Sequence, residues 1–125
     1  MFRLKKSLTN TTPSIEYFEG KTGEVFTYGE ALILKNGKLT KCSPTERPWF
    51  VCLGSVSCKE KSEIVPVFRT FGFYVFECPI DGDTSALKIG DKVTIDDDGK
   101  GVTSTTTSGV AELTEISGDT VSVIL

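Results

Sequence analysis

The same β-hairpin pattern stands twice in this sequence, about sixty residues apart. Residues 29–40 read GEALILKNGKLT, and residues 90–103 read GDKVTIDDDGKGVT. In each copy a glycine and an acidic residue open an apolar strand, an Asn-Gly or Asp-Gly pair reverses it, and a strand bearing Lys and Thr returns. Asn-Gly and Asp-Gly pairs suit the positive φ angles of tight hairpin turns. The pattern therefore predicts two antiparallel hairpins.

The strands that follow the two hairpins also come in the same order. Residues 51–56 align with 110–116, and residues 65–68 align with 121–124. Two unrelated hairpins would share only their turn residues, so the shared order favours a duplicated unit. Gly and Pro punctuate the whole chain, and no window keeps an apolar period of 3.6. These features predict an all-β fold, a compact β-sandwich or β-barrel built as a tandem of two similar β-hairpin units.

The length of the chain bounds its organisation. Its 125 residues suffice for one domain with a normal core. We expect an extended N-terminal arm at residues 1–14 and a single β domain at 15–125, containing the two units at about 23–80 and 81–125. No stretch approaches the roughly 20 apolar residues that span a bilayer, so we expect no membrane partner.

The net charge of −3 is divided unevenly along the chain. Residues 1–12 carry Arg3, Lys5 and Lys6 and no acid, so all 17 acidic residues lie in the rest of the chain. Such an acidic body argues against a nucleic-acid partner, because that kind of binding relies on many contacts between cations and phosphates. The basic terminus suits an acidic surface instead.

The chain lacks the side chains that most reactions need. It has no histidine, which removes the commonest general base and the Ser-His and Cys-His pairs. Its four cysteines form no C-x-x-C pair, and the acidic cluster at 96–98 lacks the spacing of an EF-hand loop. We therefore expect no enzyme activity, no catalytic or metal-binding residues and no cofactor.

The N-terminal arm is the first candidate binding element. Pro13 disfavours a helix before it, so the arm should be extended. An extended segment with apolar and basic side chains can add a strand to an exposed sheet edge or fill a groove. The expected contact residues are Phe2, Arg3, Leu4, Lys5, Lys6 and Leu8.

The most aromatic segment, FGFYVF at residues 71–76, predicts a strand that precedes a loop at 79–84. Alternation places two sets on opposite faces, namely Phe71, Phe73 and Val75, and Gly72, Tyr74 and Phe76. Both faces are apolar, which is typical of a strand buried on both sides. Two interpretations stay open: the core alone, or the core together with a neighbouring subunit. In the second, the interface residues are Phe71, Phe73, Tyr74 and Phe76.

Five segments stand in an order that is informative as a whole. They are GEALILKNGKLTK at 29–41, the glycine-bearing strand at 51–56, IVPVFR at 64–69, LKIGDKVTID at 87–96 and GVAELTEISGDTVSV at 109–123. Together they resemble the small capsid decoration and head-fibre proteins of tailed bacteriophages, over about residues 23–125.

That resemblance implies a β-rich structural protein bound to the outside of an icosahedral head, often as a homotrimer. Its partner would be the major capsid protein, which it would stabilise or decorate, or on which it would carry a fibre. The chain would be made in the host cytoplasm and reside on the capsid surface of the virion. The binding element of this family is often an ordered N-terminal arm, which by position corresponds to residues 1–14.

An alternative of a different class is a small β-barrel module of a phage appendage that binds glycans or another ligand. It predicts a concave site around exposed aromatic residues such as Trp49, Tyr17 or Tyr74. Stacking of aromatic rings on ligands is the physical basis of that interpretation.

Overall fold

The computed structural model of the chain describes residues 1–71 and 73–125, and the fold is all-β. No described element is a helix that could cross a membrane. The strands are β1 Arg3–Ser7, β2 Ile15–Glu19, β3 Val25–Phe26, β4 Ala31–Lys35, β5 Lys38–Lys41, β6 Phe50–Cys52, β7 Val56–Ser57, β8 Ile64–Arg69, β9 Tyr74–Asp81, β10 Lys92–Val93, β11 Val102–Thr103, β12 Ala111–Ser117 and β13 Thr120–Ile124.

Two main sheets contain most of these strands. The first has the order β2-β8-β6-β4-β5, and the second has the order β1-β9-β13-β12-β10, with β11 paired to β9. A separate small ladder joins β3 to β7. Over the described residues the sheets do not close into a single barrel, and their arrangement is compatible with a β-sandwich.

The two sheets repeat one topology. β2, β8, β6, β4 and β5 of the first correspond to β9, β13, β12, β10 and β11 of the second, and each pairing of the first recurs in the second. Even the parallel contact is repeated, since Gly20 bridges Leu39 in one unit and Ile80 pairs with Val102 in the other. The chain is therefore built from two similar units, as the sequence predicts.

Strand pairing gives the register of the repeat residue by residue. Leu34 pairs with Leu39, and Ile95 bridges Val102, so the alignment of the two hairpins agrees with the one read from the sequence. The first hairpin turns in two residues, Asn36 and Gly37, both at positive φ. The second hairpin is wider, and its four turn residues, 97–100, lie between the hydrogen-bonded Asp96 and Gly101.

The later strands agree with the sequence alignment in part. β8 and β13 align as expected, with Phe68 opposite Ile15 and the equivalent Ile124 opposite Val75. β6 and β12 differ by two residues from the expected alignment, because the pairing makes Cys52 equivalent to Leu113. The pairing also places the division of the units between β8 and β9, earlier than the expected boundary at 80/81.

The Gly-acid pairs that open the two hairpins perform the same local task. The Glu30 carboxylate accepts a hydrogen bond from the Thr27 backbone N–H at 3.0 Å. The Asp91 carboxylate accepts one from the Lys88 N–H at 2.9 Å. In each unit the carboxylate therefore satisfies a backbone donor in the loop that leads into the strand.

β9 differs from the predicted strand in its limits. It begins at Tyr74 and continues to Asp81, so it includes Pro79, which was expected in a loop. Ile80 donates its N–H to Asp119, and alternation along the ladder then directs the backbone of Pro79 away from β13. A proline is tolerated there because no N–H is needed. Of the segment predicted to be a strand, Gly72 lies outside the described residues.

The buried side chains of the described residues form two hydrophobic clusters. The smaller lies inside the first unit, around Phe26, Leu32 and Phe50. The larger lies inside the second unit and extends to the opposite face of the first sheet, where it includes Ala31 and Val51. The first sheet is thus apolar on both faces, and the larger cluster holds the two units together.

Candidate interaction surfaces

The N-terminal segment is an edge strand of its own domain. β1 pairs antiparallel with β9, with Arg3 opposite Glu77 and an irregularity between Leu4 and Lys6. The segment is extended, as predicted, but over residues 3–7 it lies against the second sheet. A partner would therefore meet it as a sheet edge.

Phe2 lies in the core and not on a contact surface. It is 1% exposed, belongs to the larger cluster, and donates its N–H to the Gly29 carbonyl at 2.8 Å. The prediction that Phe2 contacts a capsid is wrong, because its aromatic side chain is buried where the two units meet. This contact fixes the start of the chain at the entry to the first hairpin.

The other predicted arm residues remain at the surface. Leu4 and Leu8 are exposed, as are the side chains of the three cations. Lys5 donates to Glu115 at 2.8 Å, and this hydrogen bond raises the pKa of Lys5 and lowers that of Glu115. Their role in capsid binding remains a prediction, since the geometry shows exposure and charge alone.

The loop after β1 is ordered by its own hydroxyl groups. Ser7 Oγ accepts backbone hydrogen bonds from Thr9 and Thr11, each at 3.2 Å, and the two threonine hydroxyls lie 2.8 Å apart. Asn10 adopts a positive φ of 57° at the tip. This loop and the exposed side of β1 form an open concavity of about 400 Å³ lined by Lys5 and Lys6.

An exposed aromatic cluster lies at the turn before β9. Trp49, Phe71 and Phe73 are 45%, 39% and 55% exposed. The rings of Trp49 and Phe71 meet edge to face, with centroids 6.1 Å apart. The Arg69 guanidinium lies 5.0 Å from the centroid of the Phe71 ring, a cation–π arrangement. Large apolar rings held at the surface in this way are typical of interaction sites.

A bidentate ion pair borders the aromatic cluster. Arg69 donates to both carboxylate oxygens of Glu16, at 2.7 and 2.8 Å. This hydrogen bonding lowers the pKa of Glu16 and raises that of Arg69. The pair lines a cleft of about 270 Å³ together with Phe71, Phe73 and Tyr74.

The residues predicted for a subunit interface separate into two groups. Phe76 is fully buried in the larger core, so its assignment to an interface is wrong. Phe71 and Phe73 are exposed and Tyr74 is half-buried, and their role in subunit contact stays a prediction. The expected alternation fails because the strand starts only at Tyr74, and Phe71 and Phe73 belong to the preceding turn.

The aromatic residues considered for ligand binding do not form one site. Tyr74 lines the cleft beside Arg69, whereas Trp49 and Tyr17 are not among its lining residues. Within the described residues, no group of three or more His, Cys, Asp or Glu side chains is placed to hold a metal ion. Burial raises the pKa of the Cys42 and Cys78 thiols to about 12, so neither is a nucleophile near neutral pH.

Sequence reasoning missed an exposed apolar face on the first sheet. Ile15, Tyr17 and Ile64 are 51%, 62% and 54% exposed. Tyr17 stands opposite Pro66, and Ile15 stands opposite Phe68, so all five side chains share one face. The signal was present in the repeat, because the second unit carries polar residues at most of these positions.

Comparisons with known proteins concern the fold. The chain matches no protein-family model and no curated protein. Among solved structures it is similar to the head fiber gp8.5 N base in bacteriophage phi29, with a TM-score of 0.59 and 17% sequence identity. The match covers 90% of this chain and 94% of that chain, so the two proteins share one fold over nearly their whole lengths.

Proposed function

We propose that this chain is a non-catalytic structural protein of a bacteriophage virion that binds the outside of the capsid, where it stabilises or decorates the shell or forms the base of a head fibre. The observation that carries the proposal is the shared fold with a head-fibre base over 90% of this chain. The order of segments along the sequence supports the same family of roles. The partner is the major capsid protein.

The exposed side of β1 is the proposed capsid-binding surface. It presents Arg3, Leu4, Lys5 and Lys6 beside an open concavity, with Arg3 and Lys5 also in ion pairs with Glu77 and Glu115, while the body of the protein is acidic. Cations concentrated on one edge favour a surface of carboxylates and direct the orientation of the subunit toward it. An edge strand also offers unpaired backbone groups to a neighbouring chain.

Binding to heads tests this proposal. The purified chain is mixed with heads assembled from the major capsid protein encoded in the same genome, and occupancy is measured by co-sedimentation. We expect saturable binding that weakens as salt is raised from 50 to about 500 mM, because surface ion pairs are screened. If no chain sediments with heads even at low salt, the proposed function is wrong.

The exposed aromatic cluster is the proposed contact between subunits of a homotrimer. We expect Phe73→Glu to convert trimers to monomers, because a charge in an apolar interface loses its hydration without gaining a partner. Ile89→Glu is the matched control, since Ile89 is equally apolar and 61% exposed. Mass in solution is measured by analytical ultracentrifugation. A wild-type chain that is monomeric at high concentration would contradict the trimer.

A further inference from the structure

Strands β2 and β8 carry an apolar face that is exposed to solvent. Its side chains are Ile15, Tyr17, Ile64, Pro66 and Phe68, and the first three are more than half exposed. Five adjacent apolar side chains form a contiguous patch, which a monomeric protein seldom leaves in solvent.

The second unit carries different residues at the same positions of the fold. The equivalences follow from the two ladders, in which Tyr17 opposite Pro66 corresponds to Glu77 opposite Ser122. The polar residues at the equivalent positions of Tyr17, Pro66 and Ile64 are Glu77, Ser122 and Thr120. One fold thus carries polar residues at three of these five positions in one copy and apolar residues at all five in the other, so the fold itself does not require apolar side chains at those three.

The apolar face continues directly into a buried contact. Phe68 stands opposite Val51, and Val51 stands opposite Ala31, so these residues share the face. Val51 and Ala31 are buried against the second unit. The second unit therefore covers only one end of this face, and the end at β2 and β8 is left without a cover among the described residues.

No described strand forms a ladder with the outer edge of β2, whereas β1 pairs with the corresponding edge of β9. Gly20 donates its N–H to Glu63, and alternation along the ladder directs the N–H and carbonyl of Tyr17 away from β8. Pro66, which has no N–H, stands opposite Tyr17 and agrees with this assignment. The equivalent residue of the second unit, Glu77, pairs on that side with Arg3 of β1.

We propose that the open edge of β2 and the apolar β2–β8 face together bind an extended strand of another protein, as β9 binds β1. The partner strand pairs its backbone with that of Ile15 and Tyr17. Every second side chain of the partner strand is apolar and packs against Ile15 and Tyr17 across the new ladder, so that the partner extends the apolar face that includes Pro66 and Phe68.

The charges on and beside the β2–β8 face limit which kind of strand can bind there. The face holds no unpaired charge, since Glu19 at its end is bound to Lys38. An uncharged strand with β-branched or aromatic residues at alternate positions fits it best, because such residues pack well on a pleated surface. β1 of a second copy does not match, since its side chains include Arg3, Lys5 and Lys6.

An array of peptides tests the inference directly. Overlapping 12-residue peptides spanning the structural proteins encoded in the same genome are probed with the labelled chain and with Tyr17→Lys and Ile15→Lys, which change the two residues that face the partner strand. We expect the peptides that bind the wild type to alternate in polarity and to bind both variants about tenfold more weakly. Thr120→Lys and Ile89→Lys are matched controls that retain binding. If no peptide binds, or if every bound peptide binds the β2 variants as tightly as the control variants, the inference is wrong.

Whole heads provide the second readout, and there the inference rests on the proposed function. Tyr17→Lys should reduce head occupancy about tenfold while Thr120→Lys does not, and the Tyr17 amide should become protected from hydrogen exchange on binding. Heads that bind all variants equally, with a Tyr17 amide that stays unprotected, overturn the inference and leave the proposed function intact. A wild-type chain that binds array peptides but no heads overturns the proposed function and leaves the inference intact.

Discussion

Phe2→Ala should destabilise the protein by about 3–5 kcal/mol, although it changes the second residue of the chain. The reason is that Phe2 is 1% exposed and packs within the cluster that joins the two units. Removal of its ring leaves a cavity within that cluster. A loss of that size is a large share of the stability of a small domain. Urea unfolding followed by tryptophan fluorescence measures it through Trp49.

Leu4→Ala is the matched control for Phe2→Ala. Leu4 lies two residues further along, but it is 36% exposed and belongs to neither buried cluster. We expect it to cost less than about 1 kcal/mol. If Phe2→Ala and Leu4→Ala lose equal stability, the ring of Phe2 is not anchored in the core. The N-terminal segment then behaves as the free arm expected from the sequence.

Phe2 also shows why the N-terminal segment could be predicted only in part. Its extended conformation follows from local features, since Pro13 and the polar residues before it disfavour a helix. The docking of β1 depends on the edge of β9, which is more than sixty residues away along the chain. That edge exists only after the second unit has folded. Apolar and basic residues suit the edge of any sheet, so the sequence alone leaves the identity of that sheet open.

The repeat was easier to predict than the surfaces it carries. Turn glycines and their acidic neighbours act within a few residues, so their pattern is visible in the sequence, and both hairpins stand where it places them. The limits of β9 depend on two strands distant in sequence, since β13 pairs with Val75–Pro79 and Ser7 of β1 pairs with Tyr74, which leaves Phe73 in the turn. Phe76, which alternation predicts to be an interface residue, therefore lies in the core.

Glu30→Ala should cost about 2–3 kcal/mol, whereas Asp91→Ala, the equivalent change in the second unit, should cost about 1 kcal/mol. Both carboxylates accept the backbone N–H three residues earlier. They differ in burial, because Glu30 is 4% exposed while Asp91 is half-buried. Without Glu30 the Thr27 N–H loses its partner at a partly buried site, whereas the exposed Lys88 N–H is readily hydrated.

The Glu30 carboxylate makes two further contacts. Lys41 forms an ion pair with it, and Thr27 Oγ1 lies 3.3 Å from it. Glu30→Gln keeps an oxygen acceptor for the Thr27 N–H and removes the charge, so we expect it to lose about half as much stability as Glu30→Ala. Urea unfolding of the three variants separates the backbone contribution from the ionic one. Equal losses for Glu30→Ala and Asp91→Ala would contradict the explanation by burial, because the two motifs would then contribute to the fold to the same extent.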